Sequence, residues 1–248
     1  DTIILEGASA KPVYLLIDDN RIKLLDAAQL WGKGAIEVEV ELKEKYGEEY
    51  QIAAIGPGGE NMVLYACISH DFGRQAGRGG VGAVMGSKNL KAIVLHGTGS
   101  VPVADLDGYR KAGMALYKAC KDADGRAEWT RYGTTIVASW CDEVGALPTR
   151  NFSAGSFEGG PSIYGQTMRK EIVITDKGCF GCPCPCGKYS KMQRYNTNVE
   201  GPEYETIGMI GSNLGIADIQ AVAEANRLCD DLGLDSISTG SCIAWAME

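Results

Sequence analysis

No stretch of this sequence approaches the roughly 20 consecutive apolar residues that a membrane-spanning helix needs, and no secretory leader is legible ahead of the strand-like opening Asp1-Thr2-Ile3-Ile4-Leu5-Glu6. Histidine is scarce: His70 and His96 are the only two, so a zinc site completed by paired histidines has little to draw on. Basic residues are the minority, 24 Lys and Arg against 32 Asp and Glu, for a net charge of −8. That argues against a nucleic-acid surface, because phosphate contacts need clustered cations. No internal repeat or low-complexity tract is visible. An initiator methionine is also lacking, and the last residues, Ala246-Met247-Glu248, fall inside a helix-like pattern. The chain therefore reads as an internal fragment.

What is present is ordinary globular composition. The 248 residues are 45% hydrophobic and 23% charged, enough for one large domain or two small ones with real cores. The first part reads as β-rich. Residues 2–6 are apolar and β-branched, 12–18 and 21–26 flank the turn Asp18-Asp19-Asn20 as a hairpin, and 51–55, 61–69 and 91–96 look like further strands. Residues 35–46 are ambiguous: Ile36, Val38, Val40 and Leu42 alternate as in a strand, while the Glu and Lys content suits a helix. Beyond a linker at 97–105 the pattern turns helical, with candidates at 106–122, 128–144, 204–213, 216–232 and 236–247 and an extended loop over 148–165. The expected class is α+β: a β-rich domain over residues 1–102, then the start of a mainly α-helical domain over 103–248.

Cysteine carries the densest chemical signal. There are nine, an odd number, and Cys179, Cys182, Cys184 and Cys186 fall within eight residues. That density favours metal ligation in a reducing, cytoplasmic setting over secreted disulfides. The other five, Cys67, Cys120, Cys141, Cys229 and Cys242, sit among apolar residues and read as buried core thiols. In Cys179-Phe180-Gly181-Cys182-Pro183-Cys184-Pro185-Cys186-Gly187, glycine and proline bend the chain so that three thiolates at C-x2-C-x3-C can turn toward one centre. Such spacings suit an iron–sulfur cube. Its fourth ligand is expected from outside this chain, since Cys184 alternates too closely with its neighbours. Structural zinc stays open as the rival, C-x2-C being its usual half.

A glycine-rich run, Arg74-Gln75-Ala76-Gly77-Arg78-Gly79-Gly80-Val81-Gly82-Ala83-Val84-Met85-Gly86-Ser87-Lys88, is the second signal. Gly77-x-Gly79-x-x-Gly82 matches a dinucleotide fingerprint only formally, without the acidic residue expected about twenty positions on. Gly82-x-x-x-Gly86-Ser87-Lys88 misses the P-loop spacing. A tight turn between strands would explain the glycines. As a ligand site, the run would take an anion or phosphate through backbone amides and Arg74 or Arg78. Two acidic segments complete the set. Glu200-Gly201-Pro202-Glu203-Tyr204-Glu205-Thr206 places carboxylates before an apolar helix, either as terminal charge worth about 0.3–1 kcal/mol or as an acid–base group near a metal or substrate. Asp230-Asp231-Leu232-Gly233-Leu234-Asp235-Ser236 ends one helix at Gly233 and starts another capped by Asp235 or Ser236. It could equally receive a polar heterocycle.

With Ala53-Ala54-Ile55-Gly56-Pro57-Gly58-Gly59-Glu60-Asn61, these segments resemble the aldehyde:ferredoxin oxidoreductase family. The likeness covers essentially the whole chain and rests on separated motifs in order: that segment, Arg78 to Ala92, the cysteine run, Pro202-Glu203-Tyr204-Glu205-Thr206, and Asp230-x-x-Gly233-Leu234-Asp235. The resemblance implies a pterin-binding β-rich domain of two packed sheets, followed by a helical domain carrying the cysteine loop. It implies tungsten between two dithiolene pterins, a [4Fe-4S] cube, and magnesium bridging the pterin phosphates. Arg78, Gly79 and Gly80 would lie at those phosphates, with the Gly79 carbonyl on magnesium. Asp230, Gly233, Leu234 and Asp235 would grip a pterin, Cys179, Cys182 and Cys186 would hold the cube, and Glu205 would be the catalytic carboxylate beside the metal. The implied reaction oxidises an aldehyde to a carboxylate and passes electrons through the cube to ferredoxin or an iron–sulfur subunit, in a homo- or hetero-oligomer. A tungsten-dependent aromatic thioester reductase subunit of the benzoyl-CoA type is the alternative within the superfamily; a non-catalytic zinc-stabilised binding module and a nucleotide-binding enzyme are the alternatives outside it. The chain also departs from the pattern. It reads Glu224-Ala225-Asn226-Arg227 where some members carry Glu-x-x-His for an interfacial iron, Cys184 is an extra thiol, and a second Asp-rich turn, the fourth cube cysteine and a catalytic histidine are lacking.

Overall fold

In the structure, a computed structural model that describes residues 2–248, the ambiguous segment Ala35–Tyr46 is a helix, α1. Ala35, Val38, Glu39, Leu42 and Lys43 are its buried positions, the i, i+3, i+4, i+7, i+8 stripe of a helix lying on a core. Strand-like alternation would have buried Val40 with Val38, and Val40 is exposed. The chain forms two compact units, residues 1–99 with 228–238, and residues 100–227 with 239–248.

The first unit is built on a six-stranded sheet in the order β2-β1-β6-β3-β4-β5. Its strands are β1 (Val13–Asp18), β2 (Arg21–Asp26), β3 (Gln51–Ala54), β4 (Ile68–His70), β5 (Arg74–Ala76) and β6 (Leu90–His96). β1 and β2 form the expected hairpin in register Asp18↔Arg21, with Asp19 at φ +48 in its turn. β6 runs parallel to β1 and antiparallel to β3. Alternation along the strands feeds both faces of the sheet. Tyr14, Ile52, Ala54, Ala92 and Val94 pack with Val38 and Leu42 of α1, while Leu15, Leu90 and Ile55 pack with Met85. Met85 belongs to α3 (Val81–Ser87), and the short helix α2 (Pro57–Glu60) follows β3. A buried ion pair ties α2 to the sheet: Lys91 Nζ contacts Glu60 Oε1 and donates to the Lys33 carbonyl at 2.8 Å.

The second unit carries α4 (Leu106–Lys121), α5 (Arg126–Tyr132), α6 (Val137–Glu143) and α7 (Gly165–Glu171). A three-stranded antiparallel sheet follows, β7 (Val173–Lys177), β8 (Gly187–Met192) and β9 (Thr197–Glu200), in that order. After it come α8 (Tyr204–Thr206), a π-helical turn Ile207–Gly211 and a 3-10 turn Ser212–Leu214. The long helices α9 (Ile219–Leu232) and α10 (Ser236–Met247) complete the chain, with residues 228–238 belonging to the first unit. The core of the second unit gathers Leu147, Phe157, Ile163, Met168, Ile207 and Val222 among others.

The α+β class expected from the sequence holds, and the second of the two sheets lies at residues 173–200. Several local expectations do not hold. Residues 2–6 pair with no strand. Residues 61–69 are strand only from Ile68, because the amides of Asn61, Met62 and Val63 close the end of α2 on the carbonyls of Pro57, Gly59 and Gly58 and are not free for a ladder. The helix expected over 128–144 is split by a 3-10 turn at Gly133–Ile136, with Gly133 at φ +66. The sheet β7-β8-β9 carries no apolar alternation. The inward positions of β8 include Lys188 and Ser190, so the usual pattern is hidden by buried polar residues.

Candidate functional site

Two segments 155 residues apart in the chain meet within the first unit: Gln75 Nε2 donates to Asp230 Oδ1 at 3.0 Å. The Ser69 hydroxyl donates to the Asp230 carbonyl at 3.1 Å, and Arg78 Nε lies 3.8 Å from Asp235 Oδ2. The turn is a glycine-closed helix end. Gly233, at φ +68, donates to the Asp230 carbonyl and Leu234 donates to the Cys229 carbonyl at 2.8 Å. It is tied down from outside by Cys67 N–H to the Gly233 carbonyl (2.8 Å) and Asp235 N–H to the Tyr65 carbonyl (3.1 Å). Asp235 is mostly occupied as the cap of α10, accepting from the amides of Ile237 and Ser238 and from the Ser238 hydroxyl. Asp231 accepts from Ile36 N–H at the start of α1.

Glycine geometry explains why these segments can touch. A Cβ on Gly56 would fall on the Leu232 carbonyl group, and one on Gly58 would lie 2.5 Å from Leu234 Cδ2. The Gly56-Pro57-Gly58-Gly59 motif is thus a backbone surface pressed against the acidic turn. Gly79 and Gly80 take φ +99 and +71. Gly80 is packed against the Leu64 carbonyl, whereas nothing lies within 4 Å of a Cβ built on Gly79. Gly79 therefore offers its peptide groups to open space beside the exposed guanidinium of Arg78. Open backbone amides plus a guanidinium form the donor set that a phosphate requires. Arg74, on β5 next to Gln75, is half-buried.

In the second unit the cysteine run is the loop between β7 and β8. Cys179 and Cys182 are exposed; Cys184 and Cys186 are half-buried. A turn closes Cys182 N–H on the Cys179 carbonyl at 3.0 Å, Gly181 takes φ +69, and Cys184 N–H donates to Cys182 Sγ at 3.5 Å. Burial pushes the Cys186 thiol up, helped by the charge of Glu203 and by Cys184 and Cys179. Among the described residues, no group of three or more His, Cys, Asp or Glu side chains is disposed to hold a single metal ion. A cube is bound differently, each thiolate taking its own iron from outside. An exposed loop of soft donors with an amide already aimed at one sulfur fits that mode. Of the thiols expected in cores, Cys67, Cys141 and Cys229 are buried, and burial with Asp235 and Asp230 nearby pushes Cys67 up to about 12. Cys120 and Cys242 are exposed instead, on faces of α4 and α10 that no described residue covers.

Glu205 is exposed on α8, directly before the π-helical turn, a local widening often found at functional sites. Its neighbours fix the segment. Thr134 accepts from Tyr204 N–H at 2.9 Å and donates to Glu203, while Thr206 donates to Asn226 at 3.0 Å. Glu224, the first residue of the Glu-Ala-Asn-Arg stretch, is engaged by Arg227 and Thr197.

Comparison with known proteins decides the family. Residues 1–97 match the family model described as aldehyde ferredoxin oxidoreductase, N-terminal domain, and residues 111–248 match aldehyde ferredoxin oxidoreductase, domains 2 and 3. The chain belongs to the aldehyde ferredoxin oxidoreductase family. Over its whole length it is 42% identical to the tungsten-containing aldehyde ferredoxin oxidoreductase of Pyrococcus furiosus and 44% identical to that of Pyrococcus abyssi, and it spans 41% of the length of each. The active-site complex BamBC of benzoyl coenzyme A reductase, solved with 1,5-dienoyl-CoA, superposes with a TM-score of 0.79 at 25% identity, over 97% of this chain and 38% of that one. The resemblance read from the motifs thus holds. Residues that sequence reasoning passed over are Gln75, which joins the glycine-rich run to the acidic turn, and Lys188, Arg126 and Thr134, which hold the cysteine loop and the Glu205 segment. Only Gln75 sat inside a motif already singled out; the others carried no local signal.

Proposed function

We propose that the full-length protein oxidises an aldehyde to a carboxylate at a tungsten-bispterin centre and sends the electrons through a [4Fe-4S] cube to ferredoxin or to an iron–sulfur subunit of its own oligomer, in a reducing cytoplasmic setting. The observation that carries this reading is the Gln75–Asp230 and Arg78–Asp235 junction, which sets the glycine loop beside the acidic turn in one unit. Arg78 and the amides of Gly79 and Gly80 would take pterin phosphate, and the Gly79 carbonyl would face the bridging magnesium. Asp230, Gly233, Leu234 and Asp235 would hold the pterin ring system by backbone and carboxylate hydrogen bonds. Cys179, Cys182 and Cys186 would carry three corners of the cube. When bound, the tungsten-bispterin supplies a two-electron acceptor and the cube a one-electron relay.

The chain's own contribution to the chemistry is a proton path and a rigid mount. Conversion of an aldehyde and water to a carboxylate releases two electrons and three protons. Glu205, an exposed carboxylate on a segment fixed by Thr134 and Asn226, would accept a proton from the attacking water. A second reading, aromatic thioester reduction, is favoured by the fold likeness to the benzoyl coenzyme A reductase complex, but at 25% identity against 42–44% it ranks lower. The test is anaerobic purification of the full-length protein, with analysis for tungsten, molybdenum, iron and zinc and assays with aldehydes and with benzoyl-CoA. Tungsten and iron with aldehyde oxidation support the proposal; thioester turnover alone replaces it with the second reading, and zinc alone removes both.

A further inference from the structure

Two cations grip the backbone of the cysteine loop. Lys188 is 2% exposed, and its Nζ donates to the carbonyls of Cys186 (2.8 Å), Thr130 (2.8 Å), Gly187 (3.2 Å) and Pro185 (3.4 Å). Arg126, half-buried on α5, sends Nε (3.3 Å) and Nη2 (2.9 Å) to the Pro183 carbonyl. Neutral donors such as serine or glutamine could satisfy carbonyl oxygens. A buried ammonium instead carries a desolvation cost that carbonyls alone offset poorly. Its nearest carboxylate, Asp176 at 3.4 Å, is shared with Arg169. Arg126 has no carboxylate partner among the described residues. Glu203 is the opposing charge felt at Cys186. The loop that carries Cys179, Cys182 and Cys186 is therefore held by two cations that nearby carboxylates offset only in part.

We infer that Lys188 and Arg126 are positioning residues that set the reduction potential of the cube this loop takes, each raising it by stabilising the more negative reduced state. The inference rests on the [4Fe-4S] reading proposed above. The physical basis is that a cluster's potential follows the net charge and hydrogen bonding around its sulfurs, and that an ion in a poorly solvated setting is weakly screened. Adding one electron to a thiolate-bound cube increases its negative charge, so a nearby fixed cation favours the reduced form. Glu203 acts in the opposite sense.

The experiment is a redox titration of the full-length holoenzyme followed by the electron paramagnetic resonance signal of the reduced cube, with iron content measured alongside. Lys188→Gln and Arg126→Gln each remove a charge while keeping a hydrogen-bond donor. At a fixed potential each should lower the ratio of reduced to oxidised cube about tenfold, a midpoint more negative by about 59 mV. Lys188→Arg should restore the ratio to within about twofold, and Glu203→Gln should shift it the other way. A purely structural role would not give opposite signs for opposite charges. If Lys188→Gln loses its iron, Arg126→Gln and Glu203→Gln decide. Wild-type midpoints in those variants overturn the inference, whereas wild-type protein without a cube overturns the iron–sulfur reading beneath it.

Discussion

Breaking the Lys91–Glu60 pair should loosen the glycine surface against which the acidic turn rests. Both side chains are almost fully buried, 0% and 5% exposed, and burial pulls Lys91 below the usual lysine range even with Glu60 beside it. Lys91→Met leaves the Glu60 carboxylate buried with Gly32 N–H, at 2.9 Å, as its one remaining donor among the described residues. Removing one member of a buried pair costs about 3–5 kcal/mol, because the remaining charge is uncompensated, whereas replacing both with apolar groups is often close to neutral. Here the double replacement also frees the Gly32 amide and the Lys33 carbonyl. Gly32 is exposed and can turn to water, so the double variant should cost about 1–2 kcal/mol. The effect should centre on α2 and β6. A full-length protein of several domains need not unfold in one step, so amide hydrogen exchange is the suitable assay. The amides of Ile55, bonded to the Lys91 carbonyl, and Gly59 report the region directly. In Lys91→Met their protection should fall by about two to three powers of ten, at 1.4 kcal/mol per tenfold. The double variant Lys91→Met/Glu60→Met should recover most of that loss. Unchanged protection in the single variant, or strictly additive losses in the double, would show that the pair does not anchor this corner.

Four further outcomes follow from the same geometry. Gln75→Ala removes the donor to Asp230 and should destabilise the turn by about 1–3 kcal/mol, read as reduced pterin content of the purified enzyme; full loading at wild-type stability would count against the junction. Gly80→Ala forces a Cβ toward the Leu64 carbonyl at φ +71, a strain of about 1–3 kcal/mol, whereas Gly79→Ala meets the backbone penalty alone; equal thermal stability of the two would contradict the packing. His96 is raised by its hydrogen bond to Asp18, 2.9 Å away, and by further carboxylates. The stabilisation is complete below the unfolded value of about 6.5 and lost as pH rises through the higher folded value, and Asp18→Asn should flatten that dependence in thermal melts. Glu205→Gln should abolish aldehyde turnover without loss of tungsten, and wild-type rates would remove Glu205 from the proton path.

Much of the candidate site was legible from composition and spacing. The cysteine run, the glycine loop and the acidic turn each announce themselves because their chemistry is local: a turn needs glycine, a cluster needs thiols a few residues apart, and a helix start needs a cap. The α+β order was legible for the same reason, since periodicity records which faces are buried. The alternation of Ile36, Val38, Val40 and Leu42 left residues 35–46 open between strand and helix because α1 also buries the polar residues Glu39 and Lys43, which blurs the apolar stripe.

Tertiary structure alone decided what is joined to what. Nothing local to Gln75 says that it bonds Asp230, and nothing local to Gly58 says that Leu234 leans on it. The same holds for β8, whose inward Lys188 reads as a surface lysine until the carbonyls of Thr130, Pro185 and Cys186 are seen around it. A polar side chain is buried only where distant backbone supplies its partners. One-dimensional patterns therefore recover the groups that can do chemistry, while the contacts that position them depend on how segments far apart in the chain converge.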